Sequence, residues 1–223
     1  MRILALETST EYCSVALWQD GSIIERSERV GQKHSELLME MLDGVLHEAN
    51  VSLAQLGGIA FGSGPGSFTG VRIACGVAQG LALGADLPVV GVCTLQALAQ
   101  ASGHDKVIAA LDARMAEVYH AAYEKSNQGW RSVHEPSLCL PQDAEPVEGT
   151  GWFAVGSGFT AHGTALEARY AGQLAGVNPQ AVPQAGAVAQ LAAGLFAVGQ
   201  GMDAALATPL YLRDKVALKI SER

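Results

Sequence analysis

The chain has 223 residues, 49% of them hydrophobic and 16% charged, which is enough apolar material for one large core or two smaller ones and too much for a disordered segment. Its net charge is −8 with no run of lysine or arginine, so the chain's own field argues against direct nucleic-acid binding, and any such role needs a basic partner. Aromatic residues make up only 6%, and alanine and glycine supply much of the apolar content, so close packing of helices on sheets and an α/β class are expected. Cys13, Cys75, Cys93 and Cys139 are scattered without a C-x-x-C pair, which favours buried free thiols over a zinc site or a disulfide framework. The first residues reach Glu7 before a signal-peptide core forms, and no uninterrupted apolar span approaches membrane length. A cytoplasmic protein with no membrane partner is expected.

In chain order, residues 3–6 read as a short buried strand, 7–11 as a polar turn and 12–18 as a second strand; Asp20-Gly21 then turns a hairpin into 22–29, completing a three-stranded meander. From Ser35 to Ala49, Leu37, Leu38, Met41, Leu42, Val45, Leu46 and Ala49 recur at helical spacing and form one broad apolar stripe. A strand at 58–62 runs into a loop, 62–70, that holds Gly62, Gly64, Pro65, Gly66 and Gly70 and offers Ser67 or Thr69 as a helix cap. Such a loop either cradles an anion on amides at a helix N-terminus or makes a tight strand-to-helix turn for packing. No lysine lies between Lys33 and Lys106, which excludes a P-loop, and a dinucleotide fingerprint fits poorly because the spacing is wrong and only Asp86 stands where an acid is needed.

The helix expected from Gly70 to about Ala85 is unusual. Gly76, Gly80 and Gly84 line one side at intervals of four, Ala74, Ala78 and Ala82 line another, Ile73, Val77 and Leu81 lie alongside, and Arg72 and Gln79 mark a polar edge. Each interior glycine costs a helix about 0.5–1 kcal/mol relative to alanine, so the strip implies close approach by another helix, in the same subunit or in a partner.

The second half repeats the plan: a strand at 107–111, a turn at 112–117, a strand at 118–123, and a hairpin at 127–129 into 130–134. A further strand ends in glycines in each half, at 58–62 and at 152–158, and a helix follows each. The second copy is reduced, because a proline- and acid-rich loop at 141–151 replaces the helix that precedes this strand in the first. The chain therefore divides into 1–103 and 104–223. Two β-meander-plus-helix lobes, each with a carboxylate closing its first strand, suggest the duplicated ribonuclease-H-like fold of the actin, hexokinase and Hsp70 group. In that fold Glu7 and Asp112 would face each other across a metal-nucleotide cleft; the alternative is that each satisfies backbone donors in a tight turn. Residues 183–198 read as an alanine-rich helix, and 212–223, with Arg213, Lys215, Lys219 and Arg223, as a solvated cationic end.

Together these motifs resemble the bacterial TsaB (YeaZ) family from end to end. The residues that carry the resemblance are Ile3-Leu4-Ala5-Leu6-Glu7-Thr8-Ser9-Thr10 with Cys13-Ser14-Val15-Ala16-Leu17, His34-Ser35-Glu36, Gly64-Pro65-Gly66-Ser67-Phe68-Thr69-Gly70-Val71-Arg72-Ile73, Leu111-Asp112-Ala113-Arg114 with Glu117-Val118-Tyr119, and Pro209-Leu210-Tyr211-Leu212-Arg213. The resemblance implies a non-catalytic accessory subunit in making N6-threonylcarbamoyladenosine at position 37 of tRNAs that read ANN codons, paralogous to the transferase TsaD. TsaD-like proteins bind metal with a His-x-x-x-His pair, whereas no two of the six histidines here are four apart.

The partners implied are TsaD in a heterodimer, the ATPase TsaE, and a second copy when the chain is alone, with tRNA reached only through the complex. The implied interface is Leu38, Met41, Leu42 and Val45 with Ile73, Gly76, Val77, Gly80 and Gly84. Glu7, Ser9, Gly64, Gly66 and Asp112 are candidates for a vestigial nucleotide site. No catalytic residue, metal ligand or tightly bound cofactor is implied; ATP or ADP belongs at the junction with partner subunits. The chain departs from many relatives in having Met39-Glu40-Met41 where a proline is frequent, and Glu7 where some have aspartate. Rival readings are a minimal Mg-ATP phosphotransferase built on Glu7 and Asp112, a stand-alone regulatory homodimer, and a peptidase, for which neither a metal pair nor a histidine beside Ser67 is evident.

Overall fold

The computed structural model describes residues 1–213. Two five-stranded mixed sheets share one plan. The first orders its strands β3 (Ser22–Arg29), β2 (Tyr12–Gln19), β1 (Arg2–Glu7), β4 (Gly58–Gly64) and β5 (Val89–Cys93). The second orders β10 (Leu174–Asn178), β9 (Trp152–Val155), β6 (Lys106–Asp112), β7 (Val118–Ser126) and β8 (Gly129–Cys139). In each, the first strand pairs antiparallel with the second and parallel with the fourth, so the duplication holds strand for strand. The hairpin at Asp20-Gly21 has both residues at positive φ, 49° and 95°, as a tight two-residue turn requires.

The helices repeat less evenly. Helix α1 (His34–Ala49) precedes β4, whereas only a three-residue helical turn, Pro141–Asp143, stands at the matching place in the second half. Helix α2 (Phe68–Ala85) corresponds to α4 (Ser157–Arg169), and α3 (Thr94–Ala101) to α5 (Ala185–Ala197).

Strand alternation explains the layering. Leu4, Leu6, Val15, Leu17, Ile59 and Phe61 point to one side, where they pack with α1 and α2; Ile3, Ala5, Ala16, Ala60, Val90 and Val92 point to the other and pack with α5. In the second sheet Ile108 and Ala110 meet Phe159 and Leu166 of α4, while Val107, Ala109 and Leu111 meet Leu95, Leu98 and Ala99 of α3. Thus α3, which follows the first sheet in sequence, covers the second, and α5, which follows the second, covers the first.

The first amides of α5 are satisfied across the molecule: Ala185 N donates to Ser14 Oγ at 2.8 Å and Gly186 N to Glu25 Oε1 at 2.8 Å. Packing therefore does not follow the division at residue 103, since α5 and the turn Ala204–Leu206 belong with the first sheet. Sequence periodicity does not reveal this exchange, because an apolar face does not name the surface it will cover.

One other expectation is corrected in part. Helix α2 is long and apolar enough, by length and composition, to cross a membrane, but Arg72 and Gln79 interrupt it and its Ala74, Ala78 and Ala82 face packs into the first core, as a core helix of the fold does. Only Cys13 and Cys75 are buried; Cys93 and Cys139 are half-buried, and all four thiols are free.

The second lobe buries a polar network. Tyr170 has one hydroxyl proton and the Glu145 carbonyl can only accept, so that proton goes to Glu145 O at 2.9 Å and His120 Nε2 donates to Tyr170 Oη at 2.6 Å. Buried His120 Nδ1 has no partner among the described residues. Burial, with His134 nearby, pulls the His120 imidazole down to about 4. An unfolded histidine takes its proton near pH ~6.5, so the unfolded chain binds more protons between the two values, and stability is lost as pH falls through that window. The expected loss from this residue is on the order of 3 kcal/mol by pH ~4. Urea unfolding of wild type and His120→Gln at pH 7 and 4.5 checks this: the variant should show the shallower acid limb, and identical limbs would refute it.

Candidate functional site

The glycine loop is closed by its own chain. Residues 7–9 leave β1 and seat in the 62–70 loop, where Ser67 N donates to Ser9 O at 2.7 Å and Thr8 Oγ1 donates to Gly70 O at 2.7 Å. Each loop glycine stands where a methyl would collide: Gly62 with the Glu7 carboxylate, Gly66 with Ser9 O at 2.6 Å, Gly70 with the Thr8 carbonyl. Gly64, at φ 108°, would meet Leu210 O at 2.9 Å. The loop amides are also used, Gly64 N by Thr94 Oγ1 at 3.2 Å and Gly70 N by the capping Ser67 Oγ at 3.3 Å. Of the two readings open to the sequence, the tight packing turn accounts for this geometry.

Glu7 and Ser9 are buried in that junction. Glu7 Oε1 accepts from Ser9 N at 2.6 Å, whereas Glu7 Oε2 and Ser9 Oγ have no hydrogen-bond partner among the described residues. Burial pushes the Glu7 carboxyl above its ordinary range, against neighbouring donors on Ser9 and Thr8. These residues do not fit a magnesium nucleotide: the space a phosphate would need against the loop is filled by the Glu7–Ser9 turn, and a carboxyl held toward its neutral form is a poor cation ligand. Among the described residues no group of three or more His, Cys, Asp or Glu side chains is placed to hold a metal ion.

A carboxyl with a raised folded value contributes stability that is complete below the ordinary carboxylate range and is lost as pH rises through the raised value. Glu7→Gln, which cannot ionise, is therefore expected to gain on wild type between pH 4 and pH 8. Thermal unfolding reads the gain, at roughly 2–4 °C for each kcal/mol in a chain of this size. A Tm difference that stays constant over that range would contradict the assignment.

Asp112 is engaged within its own lobe and is not brought to Glu7. Its Oδ1 accepts from Arg114 N at 2.9 Å, its Oδ2 lies 3.3 Å from Arg114 Nη1, and its amide donates to Ser157 Oγ at 3.1 Å. Beyond it Arg114, Met115 and Ala116 all have positive φ, 62°, 54° and 58°, a left-handed turn that costs ~1–2 kcal/mol per residue. Arg213 clamps this turn, donating to Ala113 O at 3.0 Å and pairing with Glu117 Oε2 at 2.7 Å. The same segment donates from Leu210 N to Ser63 O at 2.7 Å, so residues 210–213 strap the first lobe to the second. Arg213 is thus an ion-paired strut and not part of a solvated end; Lys215, Lys219 and Arg223 lie outside the described residues. Both motifs are visible in the sequence, but nothing there indicates that they meet.

The expected interface divides. Leu38, Met41, Leu42 and Val45 are buried in the first core beneath α1, so they cannot touch a partner directly and that part of the expectation is corrected. They face inward because the stripe they form is the only broad apolar face of α1, and the sheet takes it. Gly76, Gly80 and Gly84 are exposed, and among the described residues a methyl added at any of them would meet nothing within 4 Å. Ile73 and Val77 are half-buried beside them, and Leu83, 63% exposed, extends the bare face.

Fold and site together define a two-lobed α/β protein built by duplication, in which the glycine loop is sealed internally and the outer face of α2 is left open. Residues 26–219 match the family model described as TsaD, tRNA N6-adenosine threonylcarbamoyltransferase. The chain is 39% identical over 228 aligned positions to the tRNA threonylcarbamoyladenosine biosynthesis protein TsaB of Escherichia coli, covering 98% of this chain and 97% of that one. It is 37% identical over 232 positions to TsaB of Haemophilus influenzae, covering 98% and 96%. The solved structure of YeaZ from Pseudomonas aeruginosa superposes with a TM-score of 0.87 at 38% identity, covering 95% of this chain and 99% of that one. The chain belongs to the TsaB (YeaZ) family, the paralogues of TsaD.

Proposed function

We propose that the chain is a non-catalytic subunit in the formation of N6-threonylcarbamoyladenosine in tRNA, and that it docks on the transferase TsaD through the exposed strip of α2 while the ATPase TsaE joins the assembly. The observation that carries this reading is the strip itself. Three glycines on one face weaken a helix, and among the described residues nothing approaches them closely enough to explain why they are small. A partner helix that needs backbone-to-backbone approach supplies the reason. The contact set becomes Ile73, Gly76, Val77, Gly80 and Gly84 with Leu83, and the buried face of α1 helps to fix the first core beneath them.

The repeated strand order supports descent from the actin and hexokinase group, with the nucleotide cleft of that group closed by Glu7 to Ser9. The phosphotransferase reading loses its ground for the same reason. A net charge of −8 supports leaving contact with tRNA to the partners. The test is reconstitution of the modification with TsaD, TsaE and tRNA, with and without this chain. Product should depend on the chain, and the chain alone should make none; full yield in its absence, or turnover by the chain alone, would overturn the proposal.

A further inference from the structure

The duplicated plan leaves one piece of chain over. In the first half a short turn joins α3 to β6, whereas after α5 the described chain runs on to residue 213 and adds no further strand to either sheet. This segment lies along the first lobe. Met202 exchanges both backbone hydrogen bonds with Val89 of β5 at 2.9 Å, and Gln79 Nε2 donates to Ala204 O and Ala207 O at 3.1 Å each. Cys75 Sγ donates to Ala207 O at 3.5 Å, Arg72 Nε donates to Tyr211 Oη at 2.7 Å, and the Phe68 and Tyr211 rings lie 5.9 Å apart. Phe68, Arg72, Cys75 and Gln79 follow at intervals of four, three and four, so the segment is stitched down a single side of α2, next to the open strip.

Past Ala207 the segment has no regular structure, and among the described residues a single backbone hydrogen bond, Leu210 N to Ser63 O, holds it. A stretch held by side chains and one backbone bond opens more readily than the sheets on either side. Its last contact is with the other lobe, where half-buried Arg213 meets Ala113 O and half-buried Glu117. That contact brackets Arg114, Met115 and Ala116, which among the described residues are the only three consecutive non-glycine residues at positive φ. A strained turn persists only where its surroundings hold it. Asp112 holds this one from within its own lobe, and Arg213 holds it from outside.

Resting on the reading of α2 as a docking face, we infer that residues 202–213 are a latch that couples occupation of α2 to the shape of the turn at 113–117. With the latch closed, Arg213 keeps the turn left-handed; with it open, the turn relaxes and the second lobe loses this tie to α2. A protein seated on the strip flanks Leu206 and Tyr211, both exposed, and by covering them it favours the closed state. Coupling of this kind is reciprocal: the factor that docking adds to closure is the factor that closure adds to docking. The latch is the two-state element that both sites bias, and it gives the otherwise unpaired last stretch of the chain its work.

Hydrogen exchange of the full chain, read at the amides of 113–117, tests this. Arg213→Gln should speed exchange there about tenfold or more, and Glu117→Gln, which spares the bond to Ala113 O, by less. Tyr211→Phe is the discriminating change. It removes only the hydroxyl that Arg72 reaches in the first lobe, yet it should speed exchange in the second-lobe turn by at least about threefold. Saturating TsaD should slow exchange at 113–117 in wild type roughly tenfold, and Arg213→Gln should weaken association with TsaD by a similar factor. Circular dichroism establishes that each variant is folded. Faster exchange in Arg213→Gln beside wild-type exchange in Tyr211→Phe would reduce the segment to a local clamp and overturn the coupling. A Gly80→Leu variant that loses TsaD, beside Arg213 and Tyr211 variants with wild-type exchange and affinity, would overturn the latch and leave the docking face standing. A Gly80→Leu variant that binds TsaD as wild type does would overturn the docking face and with it the partner's hold on the latch.

Discussion

Gly70→Ala is expected to destabilise the fold by roughly 3 kcal/mol, the upper part of the range for forcing extra atoms into a packed site. The added methyl overlaps the carbonyl of Thr8, which is backbone and cannot swing aside as a side chain would. Moving that carbonyl disturbs the whole junction, because Thr8 Oγ1 donates to Gly70 O and Ser67 N donates to Ser9 O one turn away. Ser67 also caps α2 through Gly70 N, so a shifted helix start loses its cap as well. Alanine's better helix propensity returns only about 1 kcal/mol, too little to reverse the sign. Denaturant unfolding reads the difference, and a midpoint equal to that of wild type would contradict the close approach.

The opposite result is expected farther along the same helix, at Gly80. With nothing among the described residues within 4 Å of a methyl there, Gly80→Ala should leave the isolated fold unharmed and raise its stability by about 0.5–1 kcal/mol. Gly80→Leu should likewise fold normally, yet its side chain stands in the path of a helix that must come close, and association with TsaD should weaken roughly a hundredfold or more. Titration calorimetry checks the association and thermal unfolding checks the fold. A Gly80→Leu variant that binds as wild type does would remove the strip from the interface, and one that unfolds would show that the helix face is packed within the subunit.

Much of the architecture is legible in the sequence because its causes are local. Alternating strands, the Asp20-Gly21 turn and the Ser67 cap each depend on a few adjacent residues, and the repeat of the meander follows from comparing two such stretches. Strands β5 and β10 and helix α3 are too short for periodicity to separate them from loop; α3 has only eight residues. The exchange of α3 and α5 between sheets is non-local, set by Ser14 and Glu25 receiving the α5 amides from more than 160 residues away. For the same reason the glycine loop is ambiguous in the sequence: its glycines are explained by Glu7, Thr8 and Ser9, which arrive from the other end of the lobe. The helical stripe of α1 is readable as apolar, but whether it faces a core or a partner depends on the neighbouring sheet. The strip on α2 is readable as costly, and its exposure emerges only in the folded chain.

The most direct measurement is the yield of N6-threonylcarbamoyladenosine in tRNA when TsaD and TsaE are supplied with Gly80→Leu in place of the wild-type chain. The expected yield is that of a reaction lacking the chain altogether, from a variant that circular dichroism shows to be folded. A yield equal to that obtained with wild type would contradict docking through the open face of α2.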